Sequence, residues 1–240
     1  MSEKKLPVHI GIIMDGNGRW AQNLGKPRTF GHQEGLKTAK TIAIAALKAG
    51  IKYLSLYVFS TENWKRTEEE ISFLMQLIKS HLKSEYNFYR ENRIRVLHSG
   101  DLEKLPPEIQ KEITDVTKET SAFDKLSVNL AINYGGRNEI IRAVNKWIKK
   151  SPDGPNGDLT ETDLGKYLDL PDIPDPDLII RTAGDLRLSN FLLWESAYSE
   201  FYFSKKFWPE WTEEDLNNAI KDYMTRDRKF GALYDRKKNE

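Results

Sequence analysis

The sequence predicts an α/β fold: a single domain with a mostly parallel central sheet of about six strands, flanked by helices. Three observations predict it. Helical periodicity alternates with short strand-like runs along the whole chain. The apolar run Val8-His9-Ile10-Gly11-Ile12-Ile13 leads directly into Met14-Asp15-Gly16-Asn17-Gly18-Arg19-Trp20. A buried strand ending in an acid and a glycine-rich turn is where an open α/β sheet presents its ligands. Finally, the segments that follow the other strand-like runs are unusually polar. The 240 residues suffice for one large core and no break in composition divides them. Residues 1–240 therefore read as one domain, with 1–7 and 233–240 as flexible tails.

After the first strand, the pattern over 35–47 predicts a helix ending at Gly50. The aromatic and β-branched run 53–59 then reads as a strand. Ile71, Leu74, Met75 and Ile78 share one face of a helix over 68–86, and 94–97 is the next strand. Prolines 106 and 107 open a helix to about 119, followed by a strand over 126–132. A helix over 138–149 stops before Ser151-Pro152-Asp153-Gly154-Pro155-Asn156-Gly157, the most loop-like segment. A short helix over 160–167, a strand over 177–180 and helices over 189–197 and 213–226 complete the reading.

Composition excludes several classes. The 37 basic and 36 acidic residues leave a net charge of +1, so no global field attracts nucleic acid, and any anion site must be local. Without cysteine there is no disulfide framework and no thiolate-held metal. No secretory h-region follows Met1 and no 18-residue apolar run occurs, so a cytoplasmic location is expected.

In a parallel sheet, the segments just beyond the strands converge at one rim. Here they are the Asp15 turn, Ser60-Thr61-Glu62-Asn63-Trp64-Lys65-Arg66, Asn133-Tyr134-Gly135-Gly136-Arg137-Asn138, and 181–190 with Arg181, Asp185, Arg187, Ser189 and Asn190. Arginines gathered at one rim repel unless anions lie between them, which favours a ligand with more than one phosphate. Asp15 can hold a hard cation through oxygen. Arg187 and Ser189 fall at the start of a predicted helix, whose free backbone donors suit the same anion. No P-loop, no Gly-x-Ser-x-Gly elbow and no zinc spacing of histidines is present. His32, at the entry to the first long helix, reads equally as a cap, a core residue or a ligand.

The chain resembles the cis-prenyltransferases, the family of undecaprenyl diphosphate synthase, from His9 to about Ala232. The motifs that carry the resemblance are 9–20; Arg28 to His32 with Gly35; Phe59-Ser60-Thr61-Glu62-Asn63-Trp64 with Arg66; Asn133 to Arg137; and Arg181-Thr182-Ala183-Gly184-Asp185 through Arg187, Ser189, Asn190, Trp194 and Glu200. The resemblance implies head-to-tail, cis addition of isopentenyl diphosphate to an allylic diphosphate such as farnesyl diphosphate, with Mg2+ as cofactor.

Asp15 is then the acid for metal and diphosphate. Gly16, Asn17, Gly18, Arg19, Trp20, Arg28 and His32 belong to the allylic diphosphate side. Arg181, Arg187 and Ser189 hold isopentenyl diphosphate, and Glu200 assists the metal from the partner subunit of a homodimer. Asn63, near Ser60, lies by the carbon that loses a proton, Thr61 and Glu62 are substrate-binding residues beside it, and Trp64 and Arg66 lie in or beside a mobile loop that closes over the substrates. The C-terminal Arg228-Lys229-Phe230-Gly231-Ala232 is expected to approach the diphosphate site across the dimer interface.

The implied product is undecaprenyl diphosphate for a cell-wall lipid carrier; a shorter-chain synthase, or a non-catalytic subunit of a heteromeric synthase, is the alternative. A phosphate-ester hydrolase is disfavoured, since neither a second metal carboxylate nor a nucleophile is evident near Asp15. The absence of an Asp-Asp-x-x-Asp array disfavours a trans-type synthase. At about 0.8 kcal/mol per buried CH2, a long product leaves slowly into water, so peripheral membrane contact is expected. The chain departs from its relatives at Ala183 and Asp185, at Val58, where alanine is frequent, and at Thr67, where proline is frequent.

Overall fold

A computed structural model describes residues 6–150 and 158–227. The loop-like stretch 151–157 and the C-terminal Arg228-Lys229-Phe230-Gly231-Ala232 therefore lie outside the described residues. Six strands form one sheet in the order β3-β4-β2-β1-β5-β6, every pairing parallel: β1 (His9–Ile13), β2 (Tyr53–Ser60), β3 (Ile94–Ser99), β4 (Leu126–Tyr134), β5 (Leu178–Arg181) and β6 (Glu200–Phe203). The helices are α1 (Asn17–Asn23), α2 (Arg28–Ala49), α3 (Glu68–Ser84), α4 (Tyr86–Asn92), α5 (Pro107–Glu119), α6 (Gly136–Lys150), α7 (Glu161–Gly165) and α8 (Glu213–Met224).

Every residue of β1 is buried, as expected for a central strand with both faces covered. On one face Ile10, Ile12, Leu54, Leu56 and Ile180 pack against Ile42 and Ala46 of α2 and Leu216 of α8. On the other, Ala131, Tyr134 and Ile179 meet Phe191 and Leu192 from the segment after β5. Leu6 and Pro7, at the described start of the chain, are part of the packed body: Leu6 lies against the main core and Pro7 is buried.

Several elements differ from the prediction. α2 begins seven residues before the predicted start, at Arg28, directly after Pro27 in an extended conformation. The predicted helix 68–86 breaks at Glu85, which ends α3 and opens α4. β6 and α1 have no counterpart in the predicted elements: β6 is only four residues long, and α1 only seven, so neither carries enough periodicity to register.

The helix over 189–197 does not form. Ser189, Asn190 and Leu192 adopt left-handed backbone conformations, with φ of 49°, 67° and 44°, and only a 3-10 turn at Glu195–Tyr198 follows. Three such residues in four cannot propagate a right-handed helix. Arg187 and Ser189 thus do not sit at a helix N-terminus, and the dipole argument does not apply to them.

Candidate active site

The carboxyl ends of β1, β2, β4 and β5 meet at one rim, above a cavity of ≈ 670 Å3. The first group of predicted site residues comes from the β1 turn and α2. Gly16, at φ 97°, turns the chain out of β1, and Gly31 lets α2 cross α1 so closely that a Cβ there would lie 1.9 Å from the Asn17 carbonyl oxygen. Gly18 gives the Arg28 guanidinium room in the same way, at 2.5 Å from the added carbon. Asp15, Asn17 and His32 line the cavity, whereas Gly16, Gly18, Arg19 and Arg28 stand around its mouth without lining it. Trp20 is turned away, stacked on Phe30 at 5.8 Å between ring centres.

The second group follows β2, whose register with β4 shifts between Tyr57 and Ser60 and so re-aims the strand end. Ser60, Glu62, Asn63 and Arg66 line the cavity. The Asn63 side-chain oxygen accepts from the Ser60 backbone at 3.0 Å. Thr61 faces Gly135, and Trp64 donates to the Asn133 side-chain oxygen at 2.7 Å. The third group follows β5: Arg181, Arg187 and Ser189 line the cavity. Glu200 is elsewhere. It opens β6 level with Leu178, three residues and about 10 Å of strand before Arg181, and pairs with Arg226 at 2.9 Å.

The electrostatic centre is Arg181, 3% exposed at the end of β5. It donates to Asp15 at 2.9 Å, to Ser189 Oγ at 2.6 Å and to the Arg187 carbonyl. Arg19 lies 3.2 Å from the same Asp15 oxygen. Burial works to raise the Asp15 pKa, but Arg181, then Arg19 and the Gly16 N–H, outweigh it and hold the carboxyl below its ordinary value. Asp185 bridges Arg19, Arg187 and Arg181 at 3.3, 2.9 and 3.5 Å. The shorter acid found at this position therefore still reaches all three arginines.

Two further residues organise the site: Glu70, which the sequence reading did not single out, and Asn190, which it placed at the rim without a role. Glu70, at the start of α3, lies 3.4 Å from Arg28, 2.8 Å from Arg66 and 3.5 Å from His32. Only the Arg66–Glu70 spacing, one helical turn, was visible in sequence. Asn190 ties three strand ends together: it donates to Glu62 at 2.8 Å and accepts from the Arg137 and Gly136 N–H groups at 2.9 and 2.7 Å. Its left-handed backbone makes this reach possible.

Burial pushes the His32 pKa down to about 4, aided by Arg66 and Arg28 against the pull of Glu70, so the ring is neutral at pH 7. His32 Nε2, Asn17 Oδ1 and Arg181 Nε are buried without a hydrogen-bond partner. All three residues line the one cavity, Asn17 and His32 from the α1–α2 side and Arg181 from the end of β5, and a polar ligand there is what such groups lack. Among the described residues no three His, Cys, Asp or Glu side chains converge as a metal cage. A lone ionised carboxylate beside an anion site nevertheless fits Mg2+, which is commonly held by one or two carboxylates plus substrate phosphates.

Below the rim the cavity turns apolar. It passes Leu36, Ala43, Leu74 and Ile78 and reaches Ile94. Ile94 is level with Leu126, six residues before Ile132 at the upper end, so the bore runs about 20 Å along the strands.

Residues 13–231 match the family model described as "Putative undecaprenyl diphosphate synthase". The isoprenyl transferase of Treponema denticola is 52% identical over 223 residues, covering 93% of this chain and 96% of its own. That of Thermotoga maritima is 49% identical, covering 95% and 98%. Among solved structures, lavandulyl diphosphate synthase from Lavandula x intermedia, in complex with dimethylallyl diphosphate, superposes with a TM-score of 0.90 at 34% identity, covering 94% of this chain and 98% of its own. A "probable undecaprenyl diphosphate synthase" from Campylobacter jejuni gives 0.80 at 37% identity, covering 95% and 99%.

Proposed function

Because this chain belongs to the cis-prenyltransferase family, whose members condense isopentenyl diphosphate onto an allylic diphosphate, we propose that it extends farnesyl diphosphate to undecaprenyl diphosphate. The observation that carries the reading is one continuous cavity with an arginine-rich rim, formed by Arg66, Arg181 and Arg187 at its edge, and an apolar bore. Diphosphates suit the rim, and a growing hydrocarbon suits the bore.

On this reading Arg19, Arg28 and His32, with the backbone of Asn17 and Gly18, receive the allylic diphosphate. Arg181, Arg187 and Ser189 receive isopentenyl diphosphate. Asn63, held by the Ser60 backbone, lies beside the carbon that loses a proton. Breaking the allylic C–O bond leaves charge on the departing diphosphate, where the pre-placed guanidinium groups are worth most. The cation left behind needs a dry wall, and Leu36, Leu56 and Val58 supply one. Mg2+, held by Asp15 and the diphosphate, adds further charge stabilisation when bound.

Glu200 is a strand's length from Asp15 in its own chain, so a role at a metal requires the site of a second copy; a homodimer supplies one. No described helix is long and apolar enough to cross a membrane. On this reading the enzyme is cytoplasmic, and the cost of exposing a long hydrocarbon to water argues for peripheral membrane contact at product release.

A specific observation favours a second reading. An extended chain covers about 1.2 Å per bond, so an isoprene unit needs about 5 Å, and the 20 Å bore holds about four. At that spacing the eleven units of an extended undecaprenyl chain span about 55 Å. Either the product is shorter, or its far end leaves the bore during synthesis. Incubation with Mg2+, farnesyl diphosphate and radiolabelled isopentenyl diphosphate, with sizing after dephosphorylation, decides. A C55 product supports the proposal, products ending at C20 to C50 replace it with the shorter-chain reading, and no extension removes both.

A further inference from the structure

Two titratable side chains, Lys40 and His81, interrupt the apolar bore far from the diphosphate rim, and a third, Glu85, stands behind them. Lys40 lies twelve residues after Arg28, about 18 Å further along α2. His81 is in the last turn of α3, and Glu85 is the residue at which α3 breaks into α4. Lys40 Nζ is 2.6 Å from Glu85 Oε2 and 4.9 Å from the centre of the Phe88 ring. His81 Nδ1 is 3.8 Å from the other Glu85 oxygen. Lys40, His81 and Phe88 all line the cavity.

A wall for hydrocarbon has no need of an ion pair, and packed side chains would seal it more firmly. The Lys40 side chain is 39% exposed and that of Glu85 16%, so water reaches the lysine end of the bridge and weakens the pair. Glu85 also sits where the helix is already interrupted, with φ −95° and ψ 6°. A break of this kind absorbs a hinge motion through a few dihedral angles. Lys40 therefore fastens α2 to the α3–α4 joint of the opposite wall.

We propose that Lys40 and Glu85 form a latch in the side wall of the bore, and that its opening lets the far end of a growing prenyl chain leave between α2 and the α3–α4 joint. Closed, the latch confines the chain to the bore; open, it permits further rounds of addition. The pair is thus a determinant of product length, an inference that rests on the elongation reading above.

The test compares wild type with Lys40→Glu, Glu85→Lys and the double exchange Lys40→Glu/Glu85→Lys. Products from farnesyl diphosphate and labelled isopentenyl diphosphate are sized, since the ratio of lengths does not depend on how much of a variant folds. Each single reversal sets like charges face to face and should lengthen the most abundant product by at least one isoprene unit; the double exchange should restore it. Unchanged lengths in the single variants, or a double variant shifted as far as the singles, would overturn the latch. Hydrogen exchange over Tyr86–Asn92 supplies a readout independent of catalysis, expected at least threefold faster in each single variant and restored in the double. Equal exchange in all four proteins overturns the latch whatever the wild type makes. A wild type that adds no isoprene unit overturns the elongation reading alone.

Discussion

The Arg181 guanidinium, buried at the end of β5, donates to the Asp15 carboxylate at the end of β1 across 2.9 Å. The two residues are 166 positions apart in sequence, and the β1–β5 pairing sets them side by side, with Ile13 level with Arg181. The acid is thereby kept ionised and the arginine kept fixed, so neither has to reorganise when charge appears between them.

Replacing the acid tests this pairing. Asp15→Asn keeps the shape but removes the charge, and should lower single-turnover condensation at saturating Mg2+ by about 10²–10³-fold, the size expected when one pre-placed electrostatic group is lost. A loss below tenfold would remove Asp15 from the chemistry.

His32 should take up a proton when a diphosphate binds. Its folded-state pKa of about 4 leaves it neutral at pH 6, and a dianion beside it shifts the balance towards the charged ring. Calorimetry at pH 6 in two buffers of different ionisation enthalpy should show more proton uptake for wild type than for His32→Gln. The sign for folding is opposite: an ordinary histidine binds a proton below pH 6.5 in the unfolded chain, the folded one does not, and stability falls as pH drops from 6.5 towards 4. The Gln variant should lose part of that slope.

Behind the rim, buried Glu139 and half-buried Glu195 lie against each other, with one Glu195 oxygen fully enclosed and the Tyr134 hydroxyl donating to Glu139. Burial, then the neighbouring Glu139, pushes the Glu195 pKa up to about 9. The folded chain holds a proton that the unfolded chain releases near pH 4.5, so this group lowers stability progressively as pH rises from 4.5 to 9. Glu195→Gln should therefore melt higher than wild type at pH 8, with little difference at pH 4.5. Each kcal/mol corresponds to about 2–4 °C in a chain of this size. A lower melting point at pH 8 would contradict the protonated pair.

The contact between α1 and α2 depends on Gly31. Gly31→Ala forces a carbon against the Asn17 backbone and should cost about 1–3 kcal/mol by overpacking, while displacing Asn17 from the cavity. Thermal melting and binding of an allylic diphosphate should both suffer. Gly165→Ala, with nothing within 4 Å of the added carbon, serves as the control.

Much of the fold was legible because its signals are local. Five of the six strands, β1 to β5, and the long helices announce themselves through period and punctuation, and the parallel sheet follows from their alternation. Short β6, short α1 and the break at Glu85 leave too few residues for a period to show. The segment after β5 was misread as a helix because its composition is compatible with one. Its left-handed residues are imposed by what Asn190 and Ser189 must reach across the rim.

The sequence by itself determined the family, the α/β class and the roster of rim residues, since each motif is a contiguous run whose residue types state their chemistry. Tertiary structure alone decided which of them share a cavity. It turned Trp20 onto Phe30 and set Glu200 a strand's length from Asp15. It also brought in Glu70 and joined Lys40 to Glu85 across a bore of finite length. The physical reason is that charge pairing and enclosure depend on distances through space, which strand register and helix crossing establish and which no spacing along the chain encodes.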